Sequence, residues 1–363
     1  MELLKSGISG TLIFVLSFLG WNVEETKTPL PETPPGKQKT EKIIETPVLP
    51  KKQIPPQPKT PEKPWVVPTK TLQTETQTPE PFTRAEEVNK ETNSNSKKYD
   101  KEAVANILCG ERIGSQIKYH TGSAVAISNE GVLITNAHVA EYVLLSEFGG
   151  SDFFCEVRAG SPASPAYKAK MLFMPSLWIN ANKNNLKYDS LSGTGENDYA
   201  LIYLSEKTKN STSSLLPTEI NLSGITKNQN IFISAYPAGF SSTNILLSSL
   251  SKANTNSKIK SIWPLGSARS AVFDTEPTLL AAGGASGGGI FAGSQLIGII
   301  GAVVIDKETT KPAIRGISLE YISNQIKSES DKELSEFLKN PESTAGKFKS
   351  DFEKYTKTLL TNR

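Results

Sequence analysis

Leu280-Ala-Ala-Gly-Gly-Ala-Ser-Gly-Gly-Gly-Ile-Phe291 sets a single serine, Ser286, among five glycines and runs straight into apolar residues. A flexible linker does not fit, because strongly apolar sequence flanks the stretch on both sides. A phosphate-binding loop would end in Gly-Lys-Ser/Thr, whose lysine and hydroxyl take the phosphate and its metal, and that ending is missing. Gly284-x-Ser286-x-Gly288 also matches the nucleophile elbow of α/β-hydrolases, in which the acid and the histidine follow the serine. This chain has two histidines, His120 and His138, and both precede Ser286. Order alone removes that fold. What remains is the order His, Asp, Ser.

Working outward, each member of that order has a candidate. Thr135-Asn-Ala-His-Val139 places His138 just after a strand, at a turn into Ala140-Glu-Tyr-Val143. Asp198 stands immediately before the apolar run Tyr199-Ala-Leu-Ile-Tyr-Leu204, 60 residues after His138 and 88 before Ser286. Asp152 and Asp189 are weaker rivals, since neither precedes a comparable strand. His120 reads as an ordinary surface or strand residue. Around these sites the chain is strand-like. Gly122-Ser-Ala-Val-Ala-Ile-Ser128 alternates, Asn129-Glu-Gly131 signals a turn, and Val132-Leu-Ile-Thr135 resumes the strand. Asn230-Ile-Phe-Ile-Ser-Ala235, Gly289-Ile-Phe291 and Gln295-Leu-Ile-Gly-Ile-Ile-Gly-Ala-Val-Val304 are further short strands. Many short strands with few helical periods predict an antiparallel barrel or sandwich over about 100–330. Helical pattern follows it: Phe348, Phe352, Tyr355 and Leu359 make one apolar stripe whose expected role is packing against the domain.

These segments together resemble the trypsin-like (chymotrypsin-fold) serine peptidases, and among them the bacterial Deg-type proteases of the periplasm. Gly122 to Val139 is similar to their first hairpin and histidine turn. Asn197 to Leu204 is similar to their aspartate strand. Tyr236-Pro-Ala-Gly239 and Asp274 to Phe291 follow in the family's order, and Leu296-Ile-Gly-Ile-Ile-Gly-Ala302 would line the cleft. The resemblance covers roughly 103–326. It implies an all-β fold of two six-stranded antiparallel barrels, with C-terminal helices, and a His138-Asp198-Ser286 triad. A serine hydroxyl is a poor nucleophile at neutral pH and needs an adjacent base. His138 supplies one that titrates near 6.5 when unperturbed. Asp198 would hold the correct tautomer and stabilise the imidazolium, while the Gly284 and Ser286 amides would receive the developing oxyanion.

Departures from the family matter as well. Ala285 replaces the aspartate that pairs with a new N-terminus in zymogen-activated relatives, so no such switch is expected. Gly289 stands where proline is common, and Val139 stands where relatives carry a cysteine. Cys109 and Cys155 could still pair in an oxidising compartment, a loop closure worth about 4 kcal/mol in the chain-entropy model. By correspondence with the family, Leu280 and Ala281 would line the pocket for the residue before the scissile bond, with Ile299, Ile300 and Gly301 beside it. No carboxylate lies there, which implies a small or medium apolar side chain rather than Lys or Arg. No PDZ-like segment follows the domain.

Composition bounds the remainder. Lys plus Arg number 40 and Asp plus Glu 37, a net charge of +3, which argues against a nucleic-acid partner. With two cysteines and two histidines, no four-Cys zinc site or histidine-rich metal centre is expected, and the reading requires neither metal nor cofactor. Residues 1–23 carry Lys5 ahead of the apolar run Gly7 to Trp21, the pattern of a signal peptide or signal anchor. The run reaches about 23 Å, short of a hydrocarbon core of roughly 30 Å. That length favours a removable signal, whereas Phe18 two positions before Gly20 breaks the small-x-small cleavage pattern, and an uncleaved short anchor is the expectation. Either way the rest of the chain would cross the membrane. Residues 24–99 hold 14 of the 23 prolines, between Pro29 and Pro81, and read as a disordered, semi-stiff spacer. The segment 331–363 reads as a helical tail. The expected protein is an exported or membrane-anchored serine endopeptidase acting on proteins or peptides, its oligomeric state unspecified. The alternative is a catalytically silent peptide-binding module on the same fold. An esterase would share the site and differ in the cleft.

Overall fold

The computed structural model describes residues 102–182, 195–209, 211, 213–239, 241–265 and 268–361. The expected N-terminal signal, the Pro-rich spacer and the rival Asp189 lie outside the described residues. Strands β1 (Val104–Ile113), β2 (Gln116–Ala126), β3 (Val132–Thr135), β4 (Phe153–Ala159), β5 (Ser164–Phe173) and β6 (Ala200–Lys207) form a closed antiparallel barrel in the order β1-β2-β3-β6-β5-β4. The β1–β4 pairing closes it, and there Cys109 lies opposite Cys155. The two are disulfide-bonded. Helices α1 (Ala137–Phe148) and α2 (Ser176–Asn182) are inserted between strands.

The second half repeats this plan. Strands β8 (Asn230–Ala235), β9 (Ala253–Leu265), β10 (Ala268–Thr275), β11 (Gly289–Ala292), β12 (Gln295–Ile305) and β13 (Pro312–Ser318) run in the order β11-β8-β9-β10-β13-β12. Pairing of β11 with β12 closes this barrel too. The short β7 (Glu219–Ile220) adds in parallel to β12, and α3 (Thr243–Ser248) lies between β8 and β9. Three helices end the chain: α4 (Leu319–Ser330), α5 (Leu334–Lys339) and α6 (Pro341–Thr361). The first of them starts where Ser318 caps it, its hydroxyl accepting from Tyr321 N–H at 3.1 Å.

Apolar burial explains why two rings form rather than one open sheet. One core fills the first barrel and its α1 flank, including Ile107, Leu133, Val143, Leu144 and Ile202. Another fills the second barrel, with Ile231, Ile233, Ile259, Phe273, Ile290 and Ile314. A third is shared, and joins Val125, Ile134 and Leu201 of the first barrel to Tyr236, Phe291 and Ile317 of the second. Each fully buried aliphatic side chain contributes roughly 1.5–3 kcal/mol, so the shared core makes the barrels one unit. In the predicted stripe of α6, Phe352, Tyr355 and Leu359 are buried in the first barrel's core, with Phe348 packed at its edge. Packing against the domain is the role observed. Among the described residues no helix is long and apolar enough to cross a membrane.

Candidate active site

The histidine and the aspartate are brought together by the start of a helix. The short strand β3 ends at Thr135, and Asn136 takes an extended conformation that lets α1 begin at Ala137. Asn136 occupies the N-cap, yet its side chain does not cap. It donates instead from Nδ2 to the Asp198 carbonyl at 2.6 Å, bridging the start of α1 to the residue ahead of β6. The missing cap comes from across the barrel. Asp198 Oδ1 accepts the His138 backbone N–H at 2.9 Å, satisfying an orphan amide at the positive end of the helix. Its second oxygen, Oδ2, lies 2.7 Å from His138 Nδ1. One carboxylate thus grips both the backbone and the ring of the same residue.

Burial strengthens that grip. The Asp198 side chain is 8% exposed and that of His138 22% exposed. Desolvation of the imidazole pulls its pKa down. The charge and hydrogen bond of Asp198, with the charge of Glu141 adding to them, more than reverse this, so His138 titrates above its ordinary value. Glu141, one turn along α1, is buried and accepts from the Tyr355 hydroxyl of α6 at 2.8 Å. With Nδ1 held by Asp198, the ring's Nε2 is the nitrogen left for chemistry.

The serine is positioned by backbone. Between Gly283 and Ser286 every carbonyl is anchored. Gly283 O accepts from Ala238 and Gly239 N–H at 2.7 and 2.9 Å. Gly284 O accepts from the Ser123 hydroxyl at 2.9 Å. Ala285 O accepts from Gly288 N–H at 2.9 Å, and Ser286 O from Ser123 N–H at 2.7 Å. The amides behave otherwise. Those of Ala285, Gly287 and Gly288 donate to Ala282, Ile300 and Ala285 carbonyls. Those of Gly284 and Ser286 have no acceptor among the described residues. Two N–H groups without a protein acceptor, on Gly284 and on the half-buried Ser286 itself, therefore lie two residues apart. Glycine is required at both bends. Gly284 has φ +85°, and a Cβ there would sit 2.8 Å from Ala238 N and Tyr236 O; Gly287 has φ +81°, and its Cβ would sit 2.1 Å from Ser123 O.

Ser123 and Thr135 connect the halves of the site. The Thr135 hydroxyl, three residues before His138, donates to Ser123 O at 2.7 Å. Ser123 in turn holds the serine loop, which brings that loop against the first barrel beside the histidine helix. No hydrogen bond joins the Ser286 hydroxyl to the His138 ring among the described residues.

Other expectations come out unevenly. Leu280 and Ile300 are buried in the second barrel's core, and Ala281 packs at its edge. Ile299 does not join them. A bulge in β12, where the register shifts between Ile290 and Phe291, turns Ile299 into the shared core beside Leu296. Consecutive strand residues face opposite sides, and the Ile299 and Ile300 side chains accordingly lie in different cores. Gly301 is half-buried, with Ile317 beyond its α-carbon. His120 lies in β2 as a strand residue but is buried rather than on the surface. Its ring stacks on Tyr142 at 3.8 Å between centroids, and Nε2 is 3.8 Å from Glu111. Asp152 is exposed ahead of β4. Sequence reading missed Asn136, Ser123 and Glu141; only the Thr-Asn-Ala-His spacing hinted at the first.

Two closed six-stranded antiparallel barrels joined in this manner are a chymotrypsin-like fold, as the resemblance implied. No family model and no curated protein matches the sequence. Among solved structures, the crystal structure of Deg5 is similar to the chain, at 15% identity and a TM-score of 0.42, over 63% of this chain and 90% of that one.

Proposed function

We propose that the protein is a serine endopeptidase that hydrolyses peptide bonds through an acyl-enzyme intermediate. The observation that carries this reading is the pair of amides at Gly284 and Ser286 left without a protein acceptor, in a loop whose carbonyls are all tied elsewhere and which Ser123 and Thr135 link to the strand leading to a histidine gripped by a carboxylate. Neither amide is spent on an acceptor of the fold, so both are free to receive an anion. Ser286 Oγ attacks the scissile carbonyl, and His138 Nε2 takes its proton; the hydrogen bond between them, absent in the free protein, has to form in the Michaelis complex, where catalytic hydrogen bonds shorten and align. The oxygen that becomes negative points to the two amides, each worth roughly 2.7–4 kcal/mol to the transition state. His138 then returns the proton to the leaving amine, and water repeats the cycle on the acyl group. Asp198 stays ionised throughout and stabilises the imidazolium.

The apolar set Leu280, Ala281, Ile299, Ile300 and Gly301, which includes no carboxylate, supports an apolar preference for the residue before the cleaved bond. Hydrolysis of a leucyl or valyl peptide anilide in preference to the arginyl one is expected, and the reverse order would overturn this preference. Export is the accompanying proposal, supported by the Lys5-led apolar run and by the Pro-rich stretch that would hold the domain away from a bilayer. The test of the enzyme is a fluorophosphonate probe. It should label the wild-type protein on Ser286 and leave Ser286→Ala unlabelled. A folded wild-type protein that neither labels nor cleaves an unfolded polypeptide would instead be a peptide-binding module on this fold.

A further inference from the structure

We infer that Ser123 is a positioning residue for the oxyanion amides, a role that rests on the peptidase reading above. Ser123 lies in β2 of the first barrel and is fully buried. Nothing about its place in the strand requires a hydroxyl: its strand neighbours Ala124 and Val125 are apolar and also fully buried. Yet all four of its hydrogen-bonding groups are committed, and they reach three separate segments. The hydroxyl donates to Gly284 O at 2.9 Å. The same oxygen accepts the Tyr236 backbone N–H at 2.9 Å. The Ser123 amide donates to Ser286 O at 2.7 Å, and its carbonyl accepts the Thr135 hydroxyl at 2.7 Å.

The consequence is geometric. The Gly284–Ala285 peptide lies between the two free amides, and its carbonyl is held by the Ser123 hydroxyl rather than by backbone. Gly284, at φ +85°, has no Cβ to hinder rotation, so an unheld carbonyl would let that peptide turn and carry the neighbouring amides away from a common point. The same hydroxyl satisfies the buried Tyr236 N–H, which begins the Tyr236-Pro-Ala-Gly239 segment that pins Gly283 O. A single side chain of the first barrel thereby clamps both sides of a loop belonging to the second. Ser123 touches no reacting atom; it acts through Gly284.

The test compares Ser123→Thr with Ser123→Val, a pair that shares the same added methyl and differs in the hydroxyl. Both are assayed for kcat, KM and inhibition by a peptide aldehyde, whose tetrahedral adduct places an oxyanion on the two amides. Expected are a kcat about tenfold or more higher in Ser123→Thr than in Ser123→Val, the scale set by one buried hydrogen bond, an aldehyde affinity that follows kcat, and a KM that hardly differs. Ser123→Ala should resemble the valine variant, with circular dichroism showing a folded protein. Equal kcat and aldehyde affinity in the threonine and valine variants would overturn the inference, and so would failure of every Ser123 variant to fold, which would assign the residue to folding alone. Wild-type protein that neither labels nor cleaves would mark failure of the peptidase reading instead, a result visible before any Ser123 variant is made.

Discussion

The two halves of the site are held by opposite means. His138 and Asp198 are joined by side-chain chemistry: one carboxylate, one imidazole, and a helix that begins because that carboxylate caps it. The Ser286 loop is joined by backbone chemistry: four anchored carbonyls, two open amides, and glycines where a Cβ would collide. The difference teaches where each half is vulnerable. Charge changes should disable the first and leave its backbone in place. Shape changes should disable the second without touching a titratable group.

The largest expected effect tests the side-chain half. Asp198→Asn keeps the shape and an oxygen for the His138 N–H, but its amide can present hydrogens to Nδ1 and so select the wrong tautomer. A fall in kcat on the order of 10⁴-fold is expected, read with a peptide anilide. KM should change little. An asparagine variant with near wild-type kcat would remove the imidazole from the mechanism and leave the helix cap as the only function of Asp198.

Next comes the backbone half. Gly284→Ala asks a Cβ to fit 2.8 Å from Ala238 N and Tyr236 O at φ +85°, so the loop must move and one oxyanion donor with it. A kcat loss of about 10²–10³-fold is expected, with fluorophosphonate labelling slowed in parallel. The three atoms nearest that Cβ belong to Ala238 and Tyr236 rather than to the His138–Asp198 pair, so the pH dependence of the residual activity should keep its midpoint. A midpoint that moved would show the two halves to be less independent than their bonding suggests.

This division also decides what could be read from sequence. Side-chain chemistry leaves a mark in one residue type at one place, which is why His138 and Asp198 stood out beside their apolar strands. The Gly-rich loop stood out because glycine is demanded by positive φ and close approach. Ser123 left no mark, because a serine within Gly-Ser-Ala-Val fits an alternating strand whether or not its hydroxyl reaches across the molecule. Strands followed the same rule. β8 and β12 were legible as apolar runs, whereas β9, Ala253-Asn-Thr-Asn-Ser-Lys-Ile-Lys-Ser-Ile-Trp-Pro-Leu265, is mostly polar and buries Ile259 alone, so pairing with β8 and β10 makes it a strand. The bulge in β12 was hidden for a similar reason: it puts Leu296 and Ile299 on one face, and no pattern in Leu-Ile-Gly-Ile-Ile announces it.

The smallest effect returns to the charge of the first half. His138 holds its proton above the usual imidazole value because Asp198, and to a lesser degree Glu141, outweigh the cost of burying it. The proposed mechanism requires the neutral ring, so it predicts that kcat/KM rises with pH through a midpoint above about 6.5. Glu141→Gln keeps an acceptor for the Tyr355 hydroxyl and removes a negative charge near the ring, which makes the imidazolium less favourable. The midpoint should therefore move down, and the variant should be more active than wild type on the acid side and equal to it on the alkaline plateau. Folding carries the same sign. A group whose folded pKa is raised adds stability that is complete below its unfolded value and fades as pH rises through the folded one, so urea midpoints should show the Glu141 contribution in acid and lose it in alkali. A midpoint that rose in Glu141→Gln would mean that the helix, and not the charge, carries the influence of Glu141 to the base.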